Sequence, residues 1–514
     1  MAKKYKKKKK RVLSGRFVWL ILLLIAIIFM IIIFGLKMIP DLWKWAVLGV
    51  MVIILLLTGI LSSRYYKNRF FKTVDIILCV FLAAGSFLIP HYENRISSLF
   101  DYTGGNTATI RLYVLSDEYR EAHPDLFSAY TVSDELSDYY DSVFITTMGI
   151  DYDNQNYALT ELKNASGHDM STINCINAVE SAQYLYEGQG EVLVLADAFV
   201  SMITETEGYE HFENDTKVIG SFQRTIETEI EQSDTTLTDN PFVIFIGGND
   251  EEGELAVQCK TDVAMIVAVN PLTHQIALIS YPRDSYIPNP AYGTEAYDKL
   301  THLGFSGIDN TMTGLNQYMN LGDVINNYIT INFRTYMNII DALGGVDIDN
   351  PYAFGFWDNP NIWFEQGTIH LDGYNSLLYV RERKTLPDGD FGRTMHQQLV
   401  LKAIINKLTS PEVITHFNDL LSALSGTFLT NLSSDSIYAL CRKQLSENIS
   451  WNIVNYHVTG DTGFSSCVSA GGEELSVVYP YDDQVEFVAQ VIRDVMEGRI
   501  VSQEEMPVGS YYTY

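Results

Sequence analysis

The stretch "KTDVAMIVAVNPLTHQIALISYPRD", residues 260–284, decides the fold of the C-terminal half of this 514-residue chain. Two apolar, β-rich runs flank the turn residues "PLT", which predicts two antiparallel strands joined by a short turn. Residues equidistant from such a turn face each other, so Asp262 and Arg283 are expected side by side at the open end. The preceding "FVIFIGG" predicts a buried strand, and Asp250 just beyond it is expected at the same end.

Two carboxylates and an arginine at one strand end have two interpretations. The first interpretation is an ordinary salt bridge, which this segment by itself favours. Alternatively they hold Mg²⁺ and a phosphate, because a hard cation takes one or two carboxylates and completes its shell with water and phosphate oxygens. The sequence contains no CxxC or His/Cys pattern that would indicate zinc.

A second polar cluster lies in "VRERKTLPDGDFGRTMHQQ", residues 380–398. Arg381 and Arg383 are two residues apart, so an extended backbone would point both to one side. After the loop "LPDGD", the pattern "RTMHQQLVLKAIINKL" predicts an amphipathic helix with Arg393 and Gln397 on one face near its N-terminus. Arginines beside a helix N-terminus predict an anion site. The alternative is a solvated loop whose charges neutralise one another.

The N-terminal region predicts a membrane anchor. A basic tail, residues 1–16, carries nine Lys/Arg and no acid, and uncharged or nearly uncharged runs follow at residues 17–36, 45–62 and 73–90. Twenty helical residues span the hydrocarbon core of about 30 Å, so residues 17–90 are predicted to contain three transmembrane helices. A cleaved signal peptide does not fit, because the first run is too long and lacks a small-residue cleavage site. A buried helix bundle would not explain the lysine-rich tail.

Charge predicts the orientation of this anchor. The tail and the loop "SRYYKNRFFK" are basic, which places both in the cytoplasm and everything from about residue 91 outside the cell. Residues 1–90 hold fifteen Lys/Arg and two acids, whereas the remainder holds twenty Lys/Arg and sixty-one acids. So acidic an outer part excludes general nucleic-acid binding. A phosphate site there must be a local group of cations, such as residues 380–398.

The outer part is long enough for two domains. Residues 104–222 alternate β-rich runs ("TATIRLYVLS", "SVFITTMGI", "EVLVLADAF") with the helical "INAVESAQYLYEG", which predicts a small α/β accessory domain. Residues 223–241 are polar and acidic and predict a linker, residues 242–499 a second domain, and residues 500–514 a loosely packed tail. Four cysteines outside the membrane permit three disulfide connectivities; spacing selects none, and buried thiols fit equally well.

Several separated motifs in order resemble the LytR–CpsA–Psr proteins of Gram-positive cell envelopes. They are "FIGGND", "KTDVAMIVAVNPLTHQIALISYPRDSYIP", "YDKLTHLGFSG", "YITINFRTYMNIIDALGGVDID" and "LDGYNSLLYVRERKTLPDGDFGR…QQ". The resemblance covers roughly residues 241–499. Three membrane spans and an additional domain before this region resemble the capsule-associated branch of the family.

The resemblance implies an α-β-α sandwich with a mixed central sheet and an apolar pocket for a polyprenyl tail. It also implies an extracellular, Mg²⁺-dependent phosphotransferase. Such an enzyme moves a glycopolymer from a polyprenyl-pyrophosphate carrier to a peptidoglycan sugar hydroxyl through a phosphodiester. Positioning and charge neutralisation dominate this chemistry, which suits Mg²⁺ and bidentate arginines.

The resemblance also assigns roles to residues. Asp250 and Asp262 match the Mg²⁺ ligands, and the pyrophosphate clamp is matched by Arg283, Arg381, Arg383 and Arg393. Asp390 and Gln397 match a second polar cluster, in which Asp390 would orient an arginine or accept the acceptor's proton. Lys299 is expected at the pocket rim, and His302 nearby is expected to be structural.

Two positions depart from the family pattern. Lys260 stands where an arginine is usual, which removes a bidentate phosphate contact. His396 stands where many members have arginine, and a neutral imidazole would weaken the clamp or make it pH-dependent. Both are retained as expected substrate contacts.

Three other functions fit parts of the sequence. A hydrolase of the same fold would release polyprenyl phosphate without needing an acceptor. A non-catalytic membrane protein would bind envelope lipids as a regulator, and substitution of Asp262 would leave it working. A transcriptional attenuator, suggested by the family's older names, is opposed by the predicted orientation. The sequence leaves open which polymer is carried, the acceptor sugar and the oligomeric state.

Overall fold

The computed structural model describes residues 15–511 apart from residues 38, 66–68, 101–106, 128–131, 227–236, 250–255, 257, 294, 388, 411–412, 414–419, 421–422 and 424–427. Most of the basic tail, most of the predicted linker and Asp250 therefore lie outside the described residues. The chain divides into two compact units, one of Met1–Asp101 with Ser434–Ile449, the other of Tyr102–Ser433 with Ser450–Tyr514.

The first unit contains three apolar helices that are long enough to cross a membrane: α1 (Gly15–Gly35), α2 (Asp41–Arg64) and α3 (Arg69–Phe100), of which Arg69–His91 forms the apolar part. The three predicted spans are confirmed as helices, and their length and composition indicate membrane anchoring. Leu22, Ala26 and Met30, at helical spacing, are buried on one face of α1. Which end of each helix faces the cytoplasm stays a prediction.

Residues 107–225, here called the five-stranded region, form the first part of the second unit. Its strands are β1 (Thr107–Leu115), β2 (Val143–Thr146), β3 (Ser171–Asn174), β4 (Val192–Ala196) and β5 (Thr216–Thr225), in the sheet order β3-β2-β4-β1-β5. Its helices are α4 (Asp117–Ala122), α5 (Tyr152–Ser166), α6 (Ala178–Tyr186), α7 (Val200–Thr204) and α8 (Phe212–Asp215). The strands β1, β2 and β4 and the helix α6, which were predicted from the sequence, are confirmed, whereas the other elements of this region were not anticipated.

Residues 242–501, here called the six-stranded region, are built on β6 (Phe242–Asn249), β7 (Val263–Asn270) and β8 (Gln275–Tyr281). The register Phe245↔Ile266↔Ile279 confirms the predicted antiparallel hairpin and its neighbouring buried strand. The remaining elements in chain order are β9 (Tyr286–Pro288), β10 (Tyr297–Lys299), α9 (Leu300–Leu303), α10 (Ile308–Tyr318), β11 (Ile325–Asn332), α11 (Phe333–Ala342), β12 (Val346–Asn350), β13 (Phe354–Phe356), β14 (Asn359–Phe364), β15 (Gly367–Leu371), α12 (Gly373–Arg381), α13 (Asp390–Thr409), β16 (Phe428–Thr430), β17 (Asn452–His457), β18 (Gly460–Ser466), β19 (Glu474–Pro480) and α15 (Asp482–Met496). Helix α14 (Ser434–Glu447) belongs to the first unit.

The central sheet has the order β16-β11-β6-β7-β8-β17 and is mixed, because β11 runs parallel to β6 and β17 parallel to β8 while the other neighbours are antiparallel. Val454 and Tyr456 of β17 point into a core that includes residues of α10 and α15. Asn455, between them, contacts Gln398 of α13 (Nδ2 to Oε1, 3.4 Å), so α13 covers the opposite face. The predicted α-β-α sandwich is confirmed.

The two sheet regions share buried contacts. Phe305, which follows α9 in the six-stranded region, belongs to the apolar core of the five-stranded region, and its ring centroid lies 5.0 Å from that of Phe199. The domain boundary within residues 223–241 stays a prediction. The five cysteines, all within the described residues, form no disulfide, and Cys175, Cys259 and Cys467 are buried.

Candidate functional site

The open end of the β7–β8 hairpin holds the ion pair that the sequence predicts. Arg283 Nη1 donates to Asp262 Oδ1 at 2.5 Å, just beyond the last paired residues, Ala264 and Tyr281. The two side chains are only 7% and 19% exposed, Asp262 being the more buried. The Asp262 amide donates to the Gly248 carbonyl at 2.7 Å, which fixes this carboxylate at the end of β6. The predicted juxtaposition is confirmed.

The pair extends into a chain of alternating charges. Arg283 Nε lies 4.0 Å from a carboxylate oxygen of Asp284, whose other oxygen is 3.0 Å from Lys299 Nζ. Burial alone would lower the pKa of Arg283, but the carboxylates of Asp262 and Asp284 outweigh it and raise the pKa. The arginine therefore remains charged although it is largely withdrawn from water. Asp284 is the member that the sequence reasoning missed, although it directly follows Arg283.

Arg381 and Arg383 lie on one side of an extended corner. Helix α12 ends at Arg381, and Glu382 takes extended backbone angles (φ −63°, ψ 133°). The Glu382 side chain is fully buried and accepts hydrogen bonds from the amides of Trp357 (2.8 Å) and Thr385 (3.0 Å). Both arginines are exposed while the glutamate between them is buried, which agrees with the predicted common side of Arg381 and Arg383.

Arg381 is brought to the same sheet end as Asp262. Its guanidinium carbon lies 4.8 Å from the ring centroid of Phe333, the first residue of α11. Phe333 follows Asn332, which is paired with Asn249 at the end of β6. Strand β6 in turn neighbours β7, whose first residue follows Asp262. Arg381 and the Asp262–Arg283 pair therefore lie at the same end of the central sheet, where its parallel strands β6 and β11 end, the usual place for ligands in such folds.

Helix α13 supplies further predicted site residues. It begins at Asp390, after Gly389 with a positive φ (φ +55°, ψ −120°), and carries half-buried Arg393 and Gln397 one turn apart. The predicted helix and its shared face are confirmed. The Asp390 side chain lies outside the described part of the structure, so its predicted contact with an arginine or a substrate stays a prediction.

The donor set at this end suits a hard cation. The described ranges contain no group of three or more His, Cys, Asp or Glu residues arranged to hold a metal. Of the two predicted metal ligands, Asp262 supplies a carboxylate there, and Asp250 lies outside the described residues. One or two carboxylates completed by phosphate oxygens and water match the preference of Mg²⁺. The metal assignment stays a prediction.

His396 lies in an aromatic core. The side chain is fully buried, its ring stacks on Tyr379 at 4.1 Å and on Phe354 at 4.9 Å, and Nδ1 lies 3.2 Å from the Tyr379 carbonyl. Burial lowers its pKa to about 4, although the Tyr379 carbonyl and the nearby Glu382 charge act in the opposite direction. The imidazole is therefore neutral at physiological pH and packs with rings. Its predicted substrate contact stays a prediction that this packing does not support.

Lys260 is likewise engaged inside the protein. It is 5% exposed and forms an ion pair with Glu205, which belongs to the segment just after α7. The positive charge of Lys260, in the six-stranded region, is therefore already balanced by Glu205 of the five-stranded region. Its predicted phosphate contact stays a prediction. His302 is buried and lies 2.9 Å from Asp298, the structural role expected of it.

Comparison with known proteins identifies the family. A model of the LytR_cpsA_psr family matches residues 202–475. The polyisoprenyl-teichoic acid–peptidoglycan teichoic acid transferase TagU of Bacillus anthracis (strain CDC 684 / NRRL 3495) is 35% identical over 199 residues, which cover 38% of this chain and 63% of the relative. TagU of Enterococcus faecalis (strain ATCC 700802 / V583) is 30% identical over 251 residues, covering 48% of this chain and 78% of the relative. The crystal structure of B. subtilis TagV aligns with a TM-score of 0.43 and 24% identity, covering 50% of this chain and 98% of that one. Since the family match extends over more than half of its residues, this chain belongs to the LytR_cpsA_psr family.

Proposed function

We propose that this protein is a membrane-anchored phosphotransferase. It takes a glycopolymer, a capsular polysaccharide or a teichoic-acid-like chain, from a polyprenyl-pyrophosphate carrier. It joins that polymer to a peptidoglycan sugar hydroxyl through a phosphodiester. The names of the TagU relatives, which describe transfer of polyisoprenyl-linked teichoic acid to peptidoglycan, support this reaction class.

One observation carries the proposal: Arg381 and the Asp262–Arg283 pair lie at the same end of the central sheet. A pyrophosphate needs several cationic donors that approach from different directions, and arginine provides paired donors for phosphate oxygens. Arg283 is held rigid by its carboxylate partner, whereas Arg381 and Arg383 are exposed and available to an incoming anion. Rigid and accessible cations together suit binding and charge stabilisation of a phosphoryl group.

The reaction balances without a redox partner. The acceptor hydroxyl oxygen forms a bond to the phosphorus that carries the glycan, and the bond from that phosphorus to the bridging oxygen breaks. Polyprenyl phosphate leaves with the bridging oxygen and its electron pair. The hydroxyl proton passes to a base, for which Asp390 at the start of α13 is the candidate. Arg393 and Gln397 on the same helix would orient the phosphate and the acceptor.

Asp262, with Asp250, would hold Mg²⁺, which when bound neutralises phosphate charge and assists departure of the polyprenyl phosphate. Arg283 would keep the Asp262 carboxylate in one orientation. Lys299, through Asp284, would hold Arg283 from the other side. The apolar pocket for a polyprenyl tail remains part of the proposal.

The anchor fits a lipid-linked substrate. Three helices able to span a membrane would keep the site near a carrier that cannot leave the bilayer. With the basic tail in the cytoplasm, both sheet regions would face peptidoglycan outside the cell. The partners are therefore the membrane, the lipid-linked glycan and the wall polymer, and no nucleic acid.

The test uses the full chain in lipid nanodiscs with a radiolabelled polyprenyl-pyrophosphate oligosaccharide, peptidoglycan fragments and Mg²⁺. Transfer of label to peptidoglycan is expected, with a loss of at least about a hundredfold in Arg381→Ala. Arg493→Ala is the matched control, because Arg493 lies on α15 at the turn end of the hairpin, whereas the site lies at its open end. The Val495 carbonyl of α15 accepts from Asn270 Nδ2 of that turn at 2.7 Å.

Each alternative gives a different result in this assay. Released sugar phosphate that does not depend on peptidoglycan would replace the transferase with a hydrolase. Lipid binding that needs Arg381 but produces neither transfer nor release would indicate a regulator. Equal activity of Arg381→Ala and Arg493→Ala would refute the assignment of the site.

A further inference from the structure

A cleft of about 580 Å³ separates the loops of the five-stranded region from the β9–β10 ribbon of the six-stranded region. One wall is formed by Ile150 and the segment from Asn174 to Ile176. The other is formed by Tyr286, Glu295 and Tyr297, with a glycine-containing turn at residues 468–472 beside them. The cleft is distinct from the ion-pair site described above, and none of its described lining residues is a lysine or an arginine.

Two tyrosines form an aromatic platform in this cleft. The rings of Tyr286 and Tyr297 have centroids 5.3 Å apart at an interplanar angle of 34°, and Tyr297 is 39% exposed. The Tyr286 hydroxyl donates to the Ser466 carbonyl at 2.8 Å, and its ring meets the edge of Tyr479 at 5.8 Å. Tyr286 is therefore fixed in place while Tyr297 offers a ring face to a ligand.

Hydrogen bonds across the cleft hold both walls in position. The Tyr292 hydroxyl donates to the Ile150 carbonyl at 2.6 Å, and Asn177 Nδ2 donates to the Ala470 carbonyl at 2.8 Å. Beneath the platform, the buried Asp298 carboxylate accepts from the Ser469 amide at 2.9 Å. Because the Tyr292 and Asn177 bonds join the two sheet regions, the cleft is preformed, and a ligand would not have to order it first.

Strand β10 connects the cleft with the neighbouring ion-pair site. Tyr297 and Lys299 are alternate residues of β10, so they lie on one face about 7 Å apart. Lys299 contacts Asp284 at 3.0 Å, and Asp284 in turn contacts Arg283. A chain molecule bound on the tyrosines could therefore extend its next group toward Lys299 and Arg283.

The chemistry of the lining selects a sugar rather than another phosphate. Amphipathic tyrosine rings cover the apolar faces of pyranoses, while the Glu295 carboxylate and the Asn174 amide can pair with hydroxyl groups. An exposed carboxylate with no cation among the described lining residues disfavours a polyanion. We propose that this cleft binds a saccharide next to the phosphoryl-transfer site. This saccharide would belong either to the lipid-linked donor glycan or to the peptidoglycan acceptor, and that part of the inference rests on the proposed function.

The experiment measures dissociation constants for the full chain in nanodiscs with three probes. A (GlcNAc–MurNAc)₂ tetrasaccharide represents the acceptor, a farnesyl-pyrophosphoryl disaccharide represents the donor, and farnesyl pyrophosphate is the sugar-free comparison. The variants are Tyr297→Ala and Glu295→Gln, both at exposed positions, with Tyr374→Ala as the control at an exposed tyrosine of α12 (58% exposed). A saccharide probe should bind roughly tenfold more weakly to Tyr297→Ala than to the wild type. Farnesyl pyrophosphate should bind these two proteins equally.

A loss confined to the tetrasaccharide assigns the cleft to the acceptor, and a loss confined to the lipid-linked disaccharide assigns it to the donor. The proposal is overturned if neither saccharide binds the wild type, or if both cleft variants bind like Tyr374→Ala. Failure of farnesyl pyrophosphate to bind the wild type would count against the proposed function alone, because the tetrasaccharide result does not depend on it.

Discussion

Acidification should loosen helix α13 through His396. The imidazole is buried between aromatic rings and neutral in the folded protein, because burial lowers its pKa from 6.5 to about 4. Opening of the helix would return the ring to water and to its usual pKa. The charged group that acts on it from a neighbouring segment is Glu382, and the rings around it are Tyr352, Phe354 and Tyr379.

The sign and size follow from linkage. A histidine with a lowered folded pKa contributes its full stabilisation above pH 6.5 and loses it as the pH falls toward 4, since the open state binds the proton first. At pH 5 the open state is almost fully protonated and the folded state almost neutral, which costs about 2 kcal/mol. The equilibrium constant for opening α13 should therefore rise roughly thirtyfold between pH 7.5 and pH 5.

Hydrogen–deuterium exchange of α13 peptides, corrected for intrinsic exchange rates, measures this opening. His396→Gln keeps a polar side chain that cannot titrate in this range, so its α13 protection should change far less with pH. Since α13 carries Arg393 and Gln397, transfer activity in the wild type should decline over the same pH range. Identical pH dependence of α13 protection in the wild type and His396→Gln would refute the assignment to His396.

Three further perturbations test the site. Asp262→Asn should destabilise the protein by about 2–4 kcal/mol, because it leaves the charge of Arg283 largely buried without its closest partner, and it should abolish transfer. A variant that melts at the same temperature as the wild type would contradict the stabilising role of the ion pair. Arg381→Lys should raise KM for the lipid pyrophosphate roughly tenfold, since lysine lacks paired donors and stacks less well on Phe333, and unchanged kinetics would exclude a bidentate contact. Removal of divalent cations with EDTA should stop transfer and added Mg²⁺ should restore it; full activity in EDTA would remove the metal from the proposal.

The strand pairing around the site could be predicted from sequence because it depends on local patterns. A short turn between two apolar runs fixes the register, and the register places Asp262 opposite Arg283. The same holds for Arg381 and Arg383, whose spacing of two residues in an extended segment determines a common side. Helix α13 follows from its apolar periodicity.

Contacts between distant segments could not be predicted in this way. Nothing near Lys260 indicates that its partner is Glu205, since the two are brought together only by the packing of two sheets. His396 looks like a clamp residue beside Gln397, but its place on the inward face of α13 depends on aromatic residues from β13 and α12. Sequence spacing describes which residues share an element and leaves open what that element packs against.

The contacts of Phe305 and Lys260 also bear on how this architecture can evolve. Phe305 fills part of the core of the five-stranded region, and the buried ammonium of Lys260 depends on Glu205 of that region. Recombination that replaced the five-stranded region with a foreign one would leave misfitted packing around Phe305 and an uncompensated buried cation at Lys260. Both defects are avoided only if the partners of Phe305 and Lys260 are kept. The two regions should therefore be inherited together, with substitutions at these positions correlated between them, and chimeras joined between residues 225 and 242 should express poorly unless they keep both contacts.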